Sequence, residues 1–172
     1  WDDHFLAYAR SAALPVHFSH GVPALSTADG QTCAALADIL GNGLSQERIW
    51  RLLRRLPSRP FASSLPEDWF AGIPRGAALR TLDQWREAFT AAKPQRATAE
   101  RAEQTLLPVL DLLARGPEAG GEAGMQLLSG ASLTMWEEAL RSAPPHAIAL
   151  SLQSLRVADQ REPANSVVWC PA

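Results

Sequence analysis

The choice of apolar residue constrains this chain more than any motif does. Its 172 residues include 30 alanines and 24 leucines but only 6 valines and 4 isoleucines. Alanine and leucine are among the best helix formers, whereas β-branched residues are the usual material of strands. The composition therefore predicts a mostly α fold with a few short extended stretches. A hydrophobic fraction of 47% and a charged fraction of 20% suit a packed core and exclude disordered and collagen-like classes. The length suits one domain, or one domain carrying an insertion.

A second skew excludes whole classes of chemistry. There are 16 basic residues, and a single one of them, Lys93, is lysine. A phosphate-binding loop needs glycines followed by Lys and Ser or Thr, and Lys93 stands between Thr90-Ala91-Ala92 and Pro94. A nuclease of the acidic-x-Lys type needs a carboxylate two positions before its lysine, where this chain has Ala91. H-E-x-x-H, C-x-x-C and G-x-S-x-G are also missing, so no catalytic constellation and no cofactor are expected. The net charge of −2 gives no bulk signal for nucleic acid and leaves only a local patch to find. Two distant cysteines, Cys33 and Cys170, suit neither a disulfide scaffold nor a four-thiolate metal site and fit a reducing cytoplasm. No apolar run reaches the length of a membrane span, and no signal peptide is evident, so a cytoplasmic protein without a membrane partner is expected.

Along the chain, Asp2 or Asp3 can cap a first helix to about residue 12, and Leu14–Phe18 reads as a strand because Pro15 breaks the helix. After the turn at His20–Pro23, Ser26 or Thr27 opens a helix that stops at Gly41-Asn42-Gly43. Ser45 caps the next, whose Ile49, Leu52, Leu53 and Leu56 recur at helical spacing. A short helical turn at Leu65–Gly72, a capping box at Thr81–Gln84 and a long helix from Gln95 to Arg115, kinked at Pro108, complete the middle. Gly116–Gly124 has the composition of a flexible loop. Ser132 is expected to cap a helix with Leu133, Trp136 and Leu140 inward, and Pro144-Pro145 to start a last one to Leu152. Ser154–Ala158 and Ser166–Cys170 read as closing strands. The sequence contains no internal repeat.

The two ends carry a resemblance. Leu14-Pro15-Val16-His17-Phe18, Gly21–Thr27 and Gly30-Gln31 opening an Ala/Leu-rich helix resemble the start of the second motor domain in AddB-like helicase–nucleases, where superfamily 1 helicases carry a strand and turn before a helix. Gly43–Arg48 continues the likeness, and Ala164–Ala172 is similar to the point where such chains re-enter the motor sheet. The resemblance implies a helical bundle inserted in, or flanked by short strands of, a UvrD-like α/β motor domain. Residues 1–43 are then its edge, 44–153 a helical insertion and 154–172 the return strands. It implies a fragment of a bacterial double-strand-break repair and recombination protein that works on DNA ends with a partner helicase subunit. The parent's exonuclease and helicase-related activities do not transfer, because neither the phosphate loop nor the nuclease residues occur here. A standalone helical protein–protein interaction module is the alternative.

Among candidate site residues, His17 and His20 form H-x-x-H across a strand and turn, without the third ligand that a zinc site needs, so they are taken as surface histidines. Trp85 and Trp136 fit core patterns. Glu137-Glu138 suits a solvated face. The densest basic cluster lies on the helix that starts after Ser45. At 100° per residue, Arg48, Arg51 and Arg55 fall within about 60° on its outward side. Arg54 stands beside them, Arg59 follows Pro57, and Trp50 lies off the apolar face. Guanidinium groups hold phosphate oxygens without reading sequence, so these six residues are the candidate contacts with a DNA backbone. A solvated helix face, partly neutralised by Glu47, and a contact with an acidic surface of a partner subunit are the alternatives for the arginines.

Overall fold

The computed structural model describes residues 2–56, 73, 79–92, 96–159 and 166–170. The turn expected at Leu65–Gly72, and Arg59, lie outside the described residues. The protein is mostly helical with a few short strands. Among the described residues its helices are α1 (Asp2–Ser11), α2 (Ala28–Asn42), α3 (Gln46–Leu53), α4 (Leu82–Ala91), α5 (Arg96–Ala114), α6 (Gly120–Leu127), α7 (Gly130–Ser142) and α8 (Ile148–Ser154). The strands are β1 (Val16–Phe18), β2 (Val22–Pro23), β3 (Arg156–Val157) and β4 (Val167–Trp169).

Helix starts follow local side-chain chemistry. Thr27 caps α2 by accepting from the Gly30 N–H at 3.0 Å, and Ser45 caps α3 by accepting from the Arg48 N–H. Thr81 and Gln84 form the reciprocal capping box of α4. Each satisfies donors that a helix start leaves unpaired. The α2–α3 corner turns at Gly43, whose φ of 87° suits glycine and whose N–H bonds the Ile39 carbonyl.

Two expectations are corrected. The glycine-rich stretch Gly116–Gly124 is a 3-10 turn running into α6, not a loop. Its glycines make room for an aromatic ring: a Cβ on Gly124 would stand 2.3 Å from Trp136 Cδ1, and the Trp136 indole N–H donates to the Gly120 carbonyl at 2.8 Å. Close packing thus overrides the low helix propensity of glycine. The N-cap of α7 is Ser129, with Ser132 as the third helical residue of its capping box.

The main core joins α2 to α8 and is continuous across residues 43–44, with Leu36, Ile39, Leu52, Trp85, Leu106, Leu110 and Trp136 buried within it. A smaller core holds Leu6, Ala9, Val16, Phe18 and Val22. There β1 and β4 pair in parallel, Val16 with Val167 and Phe18 with Trp169, while β2 and β3 pair antiparallel. The segment after α8 therefore runs back along the segment after α1. Phe18 N–H donates to Asp159 at 2.8 Å, Arg156 to the Gly21 carbonyl at 2.9 Å, and Ala24 N–H to the Leu155 carbonyl at 2.8 Å.

Candidate nucleic-acid interface

Helix α3 buries Ile49 and Leu52, with Leu56 just beyond its end, and leaves its arginines outward. The structure divides those arginines into two groups. Arg48 Nε lies 3.1 Å from Asp38 Oδ1, and Arg51 Nη1 lies 3.5 Å from Asp38 Oδ2. Arg48 also donates to the Asn42 carbonyl at 3.0 Å, at the C-terminal end of α2, where a cation is favoured. Arg51 bonds Glu47 at 2.8 Å one turn back. Arg54 and Arg55 are exposed and have no acidic partner among the described residues. The Arg54 guanidinium lies 4.4 Å from the centre of the Trp50 ring, a cation–π distance, and Trp50 is 42% exposed.

A recess of about 320 Å³ is lined by Glu47, Trp50, Arg51, Arg54 and Arg55. Of the six residues expected at a DNA backbone, Arg48, Trp50 and Arg51 lie in α3, which ends at Leu53 rather than Leu56, and Arg54 and Arg55 lie in the turn that follows it. Arg48 is on the flank, tied to α2. Asp38 is the residue that helical spacing misses. It sits ten positions before Arg48, on another helix, and the Gly43 corner brings its carboxylate to the stripe.

Elsewhere, His17 Nδ1 lies 3.9 Å from the carboxylate of Asp159, whose side chain is 3% exposed. Among the described residues, no group of three or more His, Cys, Asp or Glu side chains could hold a metal ion. The Cys33 thiol is buried and donates to the Ser132 carbonyl at 3.2 Å. Its burial, reinforced by the Asp29 carboxylate, pushes its pKa up to about 12, which keeps it a thiol rather than a nucleophilic thiolate. A groove of about 930 Å³ runs between α1, the start of α2, α7 and residues 155–159, with Leu6, Val22, Met135 and Val157 among its apolar lining. Among the described residues, no helix is long and apolar enough to cross a membrane. Comparison with known protein families, curated proteins and solved structures gives no match.

Proposed function

We propose that this chain is a non-catalytic DNA-handling and scaffolding segment of an AddB-like helicase–nuclease in bacterial recombinational repair, partnered by the rest of its parent chain and a helicase subunit. The observation that carries the reading is the parallel, in-register pairing of Val16–Phe18 with Val167–Trp169. Those are parts of the two distant segments that resemble the motor domain, and an insertion needs its two connections to be neighbours. A parallel pair is rarely self-sufficient and belongs by its physics to a larger covered sheet. The helical body between the two strands packs around the main core, which also takes in α2 and so crosses the expected boundary at residues 43–44.

The exposed Trp50–Arg54–Arg55 corner gives this body a means of holding phosphates without sequence preference. Binding of the pure chain to duplex DNA across a salt series tests the reading. The expected result is weak, sequence-independent affinity that falls linearly on log–log axes, with no magnesium-dependent ATP hydrolysis or DNA cleavage. Absence of binding at low salt overturns it, as does hydrolysis abolished by a substitution in this chain.

The second reading, a helical protein-interaction module, is favoured by the apolar-floored groove beside α7. It predicts that DNA binding is absent and that a Met135→Glu substitution abolishes capture of a protein partner.

A further inference from the structure

We infer that Asp38 is a built-in competitor for phosphate at this interface, and that it decides which arginines a nucleic-acid backbone reaches first. The inference rests on the DNA-handling reading above. The two oxygens of Asp38 meet two different guanidinium groups, Oδ1 that of Arg48 and Oδ2 that of Arg51. A phosphate that bridged the same two arginines would place two of its oxygens against the same donors, so carboxylate and phosphate compete for one fork. Asp38 is well placed to persist there. Its Oδ1 also accepts from the Asn42 amide at 2.8 Å, its side chain is 30% exposed, and it stands on a helix whose buried face belongs to the main core.

Glu47 is a weaker competitor. It is 80% exposed and, among the described residues, pairs with Arg51 alone, across one turn of the same helix, where an ion pair contributes little. Among the described residues, Arg54 and Arg55 pair with no carboxylate, and the Arg54 guanidinium already lies against the Trp50 ring. Phosphate therefore enters at Arg54 and Arg55. Arg51 joins only by leaving Asp38, and Arg48 remains tied to the end of α2. Removing the Asp38 charge frees Arg51 and adds a phosphate contact.

The test measures affinity of the whole chain for a short DNA duplex over a series of salt concentrations, in the wild type, Asp38→Asn, Glu47→Gln and the Arg54→Ala/Arg55→Ala pair. Asparagine keeps the volume of Asp38 and its capacity to accept from Asn42. Asp38→Asn is expected to tighten binding about two- to fivefold, the scale of one exposed ion pair, and to steepen the log–log salt slope by about one unit. Glu47→Gln is expected to give a smaller gain, and the double arginine variant to flatten the slope by about two units.

If the double variant leaves affinity and slope unchanged, the DNA-handling reading itself falls. If it weakens binding while Asp38→Asn changes neither quantity, the role of Asp38 falls and the DNA reading stands. A measurement on the unmodified chain decides the matter even if a variant folds poorly. In an NMR titration with the same duplex, the Arg54 and Arg55 Nε–H signals should move first and that of Arg48 last. Arg48 and Arg51 moving first overturns the assignment.

Discussion

The two hydrophobic cores are closed by different means. In the helical body, large rings lock neighbouring helices together and find their polar partners on the backbone. The indole N–H groups of Trp85 and Trp136 donate to the Leu44 and Gly120 carbonyls at 2.9 and 2.8 Å, and both side chains are fully buried. In the smaller core, Phe5 stacks on Trp169 at 4.3 Å between ring centres and meets Phe18 edge-on. Its framework depends on bonds between positions far apart in the chain, such as Phe18 with Asp159 and Ser19 with Trp169. The helical body also joins distant positions, Cys33 with Ser132 among them, but it does so over a far larger buried core. The helical body is thus the cooperative unit, and the strand pair is the part that opens first.

The largest expected effect follows from that contrast. Trp136→Ala removes a fully buried ring together with its bond to the Gly120 carbonyl and opens a cavity beside Gly124. It should cost about 3–5 kcal/mol of global stability, a large part of the ~5–15 kcal/mol typical of a domain. Phe18→Ala deletes a ring of equal burial from the smaller core. It should abolish amide protection in β1 and β4 while leaving the midpoint of the helical transition nearly unchanged. Denaturant unfolding followed by hydrogen exchange separates the two. Equal shifts of the global midpoint would show that the cores fold as one unit and would break the comparison.

A smaller effect separates the two cysteines, one in each region. An unfolded thiol ionises near 8.5, whereas native Cys33 is held up at about 12. Between those values the native state binds one more proton than the unfolded state, so stability falls as pH rises, by about 1.4 kcal/mol per unit. Below the unfolded value both states hold the proton, so the contribution is fully present there and no longer varies with pH. Urea midpoints from pH 8 upward should therefore decline more steeply in the wild type than in Cys33→Ala. A thiol reagent should label exposed Cys170 in the native protein and Cys33 only on unfolding. Parallel pH profiles for wild type and variant would remove the cysteine from the stability argument.

Legibility of the sequence follows the same division. Caps are local chemistry, so Ser45 and Thr81 could be read directly and Thr27 as one of two candidates beside Ser26, and the apolar faces of α3 and α4 followed from periodicity. Gly116–Gly124 could not, because its helical state depends on a ring that arrives from α7. The arginine stripe shows both sides of the matter. Spacing places Arg48, Arg51, Arg54 and Arg55 on the outward face of one helix. The charge opposite them is set by how α2 and α3 meet at Gly43, which helical periodicity does not encode. The pairing of β1 with β4 was within reach only through the reasoning that an inserted body must have neighbouring connections.

The smallest effect probes the strand pair itself. Val16 and Val167 are register partners, and directly paired residues project from the same face of a sheet. Val16 is 1% exposed, within the smaller core that Leu6 and Ala9 share, whereas Val167 is 49% exposed. Threonine keeps the β-branch and the strand preference of valine while replacing one methyl by a hydroxyl. At Val16 that hydroxyl enters a packed apolar site and should cost about 1–3 kcal/mol. At Val167 it meets solvent, and the change should stay within about 0.5 kcal/mol. Both costs are read as local opening free energies from hydrogen exchange of the β1 and β4 amides. Equal costs at the two positions would mean that β4 is covered in solution by another strand or chain. The parallel pair would then be an interior part of a sheet rather than its margin.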